Sequence, residues 1–218
     1  TCHSNHSTFD FENDGPDYAV RKFDATTLVY DNTTVIDFNG TSNLCTNCHQ
    51  PRTTPVPAND GSGLVTITSS RYGPHHGPQS TVLEGILGAN LAGSAGYPGA
   101  GANGDNPHRT GSSCVSCHMG EPTNASNGSH SMSPTLNACT TCHTGMTAIP
   151  SQIGAWSDFD ILHDLLVDAG YIDDNGSVIA SSGSPLVVPV AHAQAIWNYK
   201  TLEEDKSNGI HNPAYTRA

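Results

Sequence analysis

The sequence predicts a mostly irregular chain with a few short helices and minor β-hairpins, arranged as one domain spanning residues 1–218. Hydrophobic residues make up only 35% of the chain and aromatic residues 6%, which is low for a globular protein. Glycine (22 residues) and proline (14 residues) are frequent, and both interrupt regular elements. Side chains alone would therefore give this domain a poor core.

The most informative motif is C-x-x-C-H, which occurs at residues 45–49, 114–118 and 139–143. This spacing is the attachment signal for a c-type haem. The two thiols bond the vinyl groups of one porphyrin, and the histidine becomes an axial iron ligand that helps set the reduction potential. Each porphyrin also supplies the apolar surface that the side chains lack. We therefore expect a multihaem cytochrome c fold packed around its haems, which unfolds without them.

The opening residues, Thr1-Cys2-His3, match the second half of a fourth motif. Seven cysteines make three pairs plus Cys2, so we expect an N-terminus truncated within the first motif and four haem c groups per subunit. The alternatives are a haem with one thioether and a free Cys2. The cysteines expected to attach haem are Cys2, Cys45, Cys48, Cys114, Cys117, Cys139 and Cys142. The expected proximal iron ligands are His3, His49, His118 and His143.

Two other readings of paired cysteines fit less well. Structural zinc would use two pairs as four thiolates and would not need a histidine directly after every pair. Thioredoxin-like redox chemistry is typical of a βαβ context, and no such pattern surrounds any pair. Haem therefore remains the preferred interpretation.

The charge of the chain limits its partners. The formal net charge is −12, which argues against binding nucleic acid or an anionic membrane surface. No apolar run approaches the roughly 20 residues that span a bilayer, so we expect no membrane insertion. Covalent haem attachment implies maturation outside the cytoplasm. We expect a secreted protein, extracellular or at the cell surface, with the periplasm as the alternative.

The helices and strands are predicted from the spacing of apolar residues and from the turn residues between them. A hairpin is expected around the turn at residues 31–34, with a solvated loop as the alternative, and a short strand at 64–68. Helical spacing predicts helices over residues 81–92, 155–169 and 191–206, and residues 93–113 are expected to be irregular. A second hairpin is expected around residues 173–176.

The histidine count points to the remaining iron ligands. Of the twelve histidines, four are the motif histidines, so eight remain for the four distal positions. Ligation of every iron by two histidines is therefore the simplest interpretation. Iron with both axial positions filled has no site for a substrate and serves electron transfer. Two of the eight, His163 and His192, lie on predicted helices and are alternatively packed or hydrogen-bonded without metal.

Several histidine segments resemble those of multihaem cytochromes c, among them Gly73-Pro74-His75-His76-Gly77-Pro78-Gln79 and Gly128-Ser129-His130. The opening Cys2-His3-Ser4-Asn5-His6 resembles the tetrahaem subunits of extracellular cytochrome nanowires (OmcE type), in which such a histidine ligates a haem of the neighbouring subunit. The resemblance does not extend to residues 10–44 or 145–190. It implies these distal candidates: His6, His75, His108, His130 and His211, with His76 as an alternate. His108 ranks last, because it also lies close enough in sequence to Cys114 to support a ligand there instead of binding iron itself.

The expected function is long-range electron transfer through four bis-histidine haems, as the repeating subunit of an extracellular conductive filament. The filament would be a head-to-tail homopolymer that donates His6 to the next subunit and exchanges electrons with other redox proteins or extracellular acceptors. One alternative is a monomeric periplasmic shuttle. The other is a redox enzyme with one open haem, which is disfavoured because no altered motif such as C-x-x-C-K occurs. We therefore expect no enzymatic activity.

Overall fold

The computed structural model describes residues 2–3, 20–53, 63–91, 106–154 and 156–218. Within these ranges the chain forms eight short α-helices and two two-stranded antiparallel sheets, with much coil between them. This agrees with the expected irregular chain of short helices and minor β structure. The helices are α1 (Ser42–Thr46), α2 (Gln79–Glu84), α3 (Pro107–Gly111), α4 (Ser113–His118), α5 (Leu136–Thr140), α6 (Trp156–Asp168), α7 (Val190–Asp205) and α8 (Pro213–Arg217). The strands are β1 (Thr26–Thr27), β2 (Val35–Ile36), β3 (Leu64–Ile67) and β4 (Leu186–Pro189).

The first sheet is the hairpin predicted around residues 31–34. Strand β1 pairs with β2 in the register Thr26↔Ile36 and Thr27↔Val35, so the strands are shorter than the apolar pattern suggested. Asp31 closes the turn by accepting hydrogen bonds from the backbone N–H groups of Thr33 and Thr34, each at 2.9 Å. Desolvation alone would raise the pKa of Asp31, but the hydrogen bonds from Thr34 and Thr33 hold it below its ordinary value.

The second sheet joins two distant parts of the chain. The predicted strand near residues 64–68 is β3, and its partner β4 lies just before α7, with the register Leu64↔Pro189 to Ile67↔Leu186. The hairpin predicted around residues 173–176 is a tight turn closed by one bridge between Ile172 and Val178. Both features pack against α6 and α7 and complete one side-chain core.

That core is the larger of two hydrophobic clusters. It lies between the second sheet, α6 and α7, and both helices occupy nearly the residues that their apolar spacing predicted. Gly170, with φ +72°, ends the turn after α6, and the N–H of Tyr171 bonds the Leu166 carbonyl at 3.0 Å, as in a glycine C-cap. The buried members are Ile67, Leu166, Ile172, Val178, Val188, Ala193, Ile196 and Tyr199.

Two elements near the middle of the chain differ from expectation. The helix predicted over residues 81–92 is only α2, because Gly85 adopts φ +77° and terminates it. The segment 93–113 was predicted to be irregular. Residues 93–105 lie outside the described residues, but α3 lies within the rest of the segment and α4 begins at its end. Asn106 caps α3 by accepting a hydrogen bond from the N–H of His108, and Pro107 occupies its first turn, both of which favour a helix start. The prediction of an irregular segment was therefore wrong for residues 107–111.

The region with two of the haem motifs lacks a hydrophobic core. Between residues 107 and 152 only Gly128 and Thr135 are buried, and no apolar side chain is. The smaller cluster, Leu28, Ile36, Phe38 and Leu83, reaches this region only at Cys114. Helices α3, α4 and α5 are therefore arranged without the apolar packing that normally stabilises short helices.

Candidate metal centres

The three complete C-x-x-C-H motifs share one local geometry. The N–H of His49 bonds the carbonyl of Cys45 at 2.9 Å, and that of His143 bonds the carbonyl of Cys139 at 2.8 Å. The motif at residues 114–118 lies entirely within α4. Positions three and four residues apart share one face of a helical turn. Each motif therefore presents both cysteines and its histidine on the same side of the backbone.

Three of the four motif histidines lie beside a second imidazole from another part of the chain. The ring centroids are 6.0 Å apart for His3 and His130, and the ring planes are inclined by 44°. The other two pairs have nearly the same separation. They are His108 with His143, at 6.1 Å and 72°, and His118 with His211, at 6.2 Å and 50°.

This repeated separation fits two axial ligands of one metal ion. A histidine nitrogen bonds a first-row metal at about 2 Å, and the ring centroid lies roughly 1 Å further away, so opposed imidazoles have centroids about 6 Å apart. Each ring can rotate about its metal–nitrogen bond, so the different interplanar angles are compatible. The adjacent pair His75 and His76 is closer, at 4.8 Å, and does not match. The residues present therefore fit haem iron at three places.

Hydrogen bonds at Nδ1 leave Nε2 as the free ring nitrogen in several of these histidines. The Nδ1–H of His118 donates to the carbonyl of Met132 at 2.9 Å, and that of His108 donates to the carbonyl of Ile210 at 2.7 Å. His211 Nδ1 contacts Asp205 Oδ1 at 2.7 Å. Such partners fix the tautomer and orientation of metal-binding histidines.

The motif cysteines bring neighbouring motifs together. The thiols of Cys45 and Cys114 share a hydrogen bond, which lowers the pKa of Cys45 to about 7, while that contact and burial raise the pKa of Cys114. Burial, and then the proximity of Cys117, raise the pKa of Cys139. The first thiol of the motif at 45–49 therefore meets the first thiol of the motif at 114–118, whose second thiol lies near Cys139.

His49 differs from the histidines of the other motifs. Its Nδ1 lies 3.2 Å from Oε1 of Gln79, so its Nε2 is also free. Within the described residues, however, no aromatic or imidazole ring contacts it. The loop with His75 and His76 runs beside the same motif, where the N–H of Ser80 bonds the His49 carbonyl at 3.1 Å, yet neither imidazole of that loop faces His49.

The loop itself has an unusual backbone. His75 has φ +53° and His76 has φ +70°, a region that residues with a Cβ rarely occupy. The backbone N–H of His76 is fixed by the carboxylate of Glu204 at 2.5 Å. These contacts hold the loop in place without pairing either histidine with a motif histidine.

The two histidines on the long helices have other neighbours. His192 Nδ1 lies 2.7 Å from the Tyr171 hydroxyl, and the His163 ring packs on Tyr199 with centroids 5.8 Å apart. Neither faces another imidazole in the described structure, which agrees with the packed alternative considered for both. His6 lies outside the described residues.

Sequence reasoning missed the polar residues that hold the paired histidines. Buried Asn106 donates to the carbonyls of Leu83 at 2.8 Å and His211 at 3.1 Å, so it ties α3 to the segment after α7. Asn106-Pro107 is a recognisable helix start and could have been found. Gln79 and Asp205 could not, because nothing in the local sequence shows which imidazole they contact.

Other kinds of site are not evident in the described residues. No group of three or more His, Cys, Asp or Glu side chains there is arranged to hold a metal ion, and haem needs only two because its porphyrin supplies the others. A cavity of about 220 Å³ lies between α6, α7 and α8, lined by Trp156, Phe159 and Leu202 among others, with no histidine. None of the described helices is both long enough and apolar enough to span a bilayer.

Comparison with known proteins adds no relative. No protein-family model, curated protein or solved structure matches this chain significantly.

Proposed function

We propose that this chain is a tetrahaem c-type cytochrome that transfers electrons over long distances as the repeating subunit of an extracellular filament. The observation that carries the proposal is the set of three imidazole pairs, each combining a motif histidine with a distant one at 6.0–6.2 Å. In each pair one member is a motif histidine and the other is a histidine from another part of the chain. The missing side-chain core between residues 107 and 152 also supports large apolar cofactors there.

The chain's own residues would bind and orient these groups. When bound, haem iron supplies a one-electron redox couple. The pairs that would hold iron are His3 with His130, His118 with His211, and His143 with His108. With two histidines for each iron, these pairs would leave no site for a substrate, and electron transfer is the chemistry that the bound groups would supply.

Contacts between motifs would bring the bound groups close together. The Ser42 hydroxyl lies 2.9 Å from that of Ser113, which joins α1 to α4, and the Cys45 and Cys114 thiols meet beside it. The N–H of Thr135 bonds the Cys117 carbonyl at 3.1 Å, which joins α4 to the start of α5. The groups attached to these three helices would therefore form a connected series.

The filament is proposed because of the ligands of the fourth iron. The haem attached at Cys45 and Cys48 would have His49 on one side, and no imidazole of the described residues faces it. We propose that His6 of the next subunit occupies the other side. Such a contact is head to tail and does not close on itself, so it generates a helical filament. The net charge of −12 argues against nucleic acid as a partner. The proposed partners are other redox proteins or extracellular acceptors.

The same feature of His49 supports a second candidate function. A five-coordinate iron in that position would be open to a small ligand, as in a redox enzyme. A monomeric periplasmic shuttle is the third possibility, in which His75 or His76 moves to complete the site. Each candidate predicts a different spin state and assembly.

One set of measurements on purified full-length protein separates the candidates. Mass spectrometry should show four haems per chain, electron microscopy should show filaments, and electron paramagnetic resonance should show only low-spin iron. Monomers with four low-spin haems would favour the shuttle. Monomers with one high-spin haem that binds cyanide would favour the enzyme. A chain that matures without haem would overturn all three.

A further inference from the structure

Asp205, the last residue of α7, is a buried carboxylate that contacts one of the paired histidines. Its side chain is 1% exposed, and its Oδ1 lies 2.7 Å from His211 Nδ1. Its Oδ2 accepts a hydrogen bond from the Ser207 hydroxyl, which in turn accepts one from the His211 backbone N–H at 3.2 Å. Both carboxylate oxygens are therefore engaged, and the His211 ring is held by a charged group.

The corresponding contacts at other motif-associated histidines use neutral acceptors. His118 donates to the backbone carbonyl of Met132, His108 to that of Ile210, and His49 to the side-chain amide of Gln79. A carboxylate withdraws the Nδ1 proton more strongly than a carbonyl does, and it raises the basicity of the opposite nitrogen. His211 is therefore set apart electronically from these three histidines.

We propose that Asp205 is a positioning residue that lowers the reduction potential of the iron held between His118 and His211. The proposal rests on the proposed function, because it concerns one of its four irons. A more basic Nε2 donates more charge to the metal and stabilises the ferric state over the ferrous state, and hydrogen bonding to axial ligands is an established lever on potential. Burial strengthens the effect, because the interaction is not screened by water.

The position of this iron in the series indicates what its lowered reduction potential would do. Its motif lies on α4, which contacts α1 through Ser42 and Ser113 and the start of α5 through Thr135 and Cys117. The tuned iron therefore stands between those attached at 45–49 and 139–143. Asp205 would therefore lower the reduction potential of the middle one of these three irons.

The test is a spectroelectrochemical titration of the haem-loaded protein and its Asp205→Asn variant. One of four midpoint potentials should rise while the other three stay in place, and the paramagnetic resonance signal of one low-spin haem should shift. Asp205→Glu should restore part of the original potential. Asp164→Asn is the matched control, because Asp164 contacts His163 at 3.2 Å with an 82% exposed side chain and that histidine faces no other imidazole in the described structure.

A second variant tests the same idea if Asp205→Asn does not fold. Ser207→Ala removes the hydrogen bond to Oδ2, which leaves more negative charge at Oδ1 and should lower the same midpoint. Four unchanged midpoints in a folded variant with four low-spin haems would overturn the role of Asp205 and leave the proposed function standing. A protein without bis-histidine haems would overturn the proposed function itself.

Discussion

The imidazole of His108 lies beside that of His143, with ring centroids 6.1 Å apart and planes inclined by 72°. His108 lies in the first turn of α3, which is fixed to α2 by the hydrogen bond from Asn106 to Leu83 and by the ion pair of Arg109 with Glu84 at 2.8 Å. The sequence ranked His108 last among the distal candidates. Because His108 lies beside a motif histidine, it is as good a candidate for a distal ligand as His130 and His211.

Replacing His108 with alanine should convert one haem in four from low spin to high spin. The reason is that His143 would lose the imidazole on the opposite side of its iron. Resonance Raman and electron paramagnetic resonance spectra of the purified variant measure the change. His192→Ala is the control, because His192 contacts Tyr171, and it should leave all four haems low spin. A fully low-spin His108→Ala protein would return His108 to a supporting role.

The haem-free chain should lose structure unevenly. The segment 107–152 buries no apolar side chain, whereas the cluster around Ile67 and Ile196 is built from side chains alone. In a variant with all motif cysteines changed to serine, amide hydrogens of α4 and α5 should exchange rapidly, while those of α7 keep partial protection. Hydrogen-exchange mass spectrometry compares this variant with the haem-loaded protein. Protection of α4 and α5 without haem would contradict the proposed dependence on the cofactor.

The cluster between α6 and α7 should carry much of the stability of the C-terminal part. Ile196 is fully buried there, and shortening a buried isoleucine to alanine typically costs about 2–5 kcal/mol. Ile196→Ala should lower the free energy of unfolding by this amount in urea titrations followed by circular dichroism. Ile161, which is 58% exposed on α6, provides the control, and its replacement by alanine should change stability by no more than about 0.5 kcal/mol.

The sequence was sufficient to predict the elements that depend on residues close to one another in the chain. Helices α6 and α7 and the hairpin at residues 31–34 follow, within a few residues, from the spacing of apolar residues and from turn residues. The pairing of β3 with β4 was not predictable, because nothing in two short apolar segments far apart in the sequence shows that they pair with each other. Matching His118 with His211 likewise depends on how α7 and α4 pack. The contact of Asp205 with His211 spans only six positions, yet many polar residues at such spacing never meet.

The last prediction concerns His49, a motif histidine that no other imidazole of the described residues contacts. His49 has its Nδ1 directed at Gln79, so its Nε2 is available to a metal, and the three described pairs already use His108, His130 and His211. Of the distal candidates, this leaves His6, His75 and His76. His75 and His76 lie in a loop held by Glu204, and neither faces His49. A ligand from another subunit is therefore the simplest completion of this site.

His6→Ala should leave each subunit folded and loaded with four haems, but it should abolish filaments and turn one haem in four high spin. Electron microscopy and electron paramagnetic resonance on the same sample measure both effects. His76→Ala is the matched control and should still form filaments with low-spin iron. Adding free imidazole to the His6→Ala protein should restore the low-spin signal without restoring filaments, because it fills the iron site but does not link subunits. Ordinary low-spin filaments of His6→Ala would instead assign the fourth position to His75 or His76.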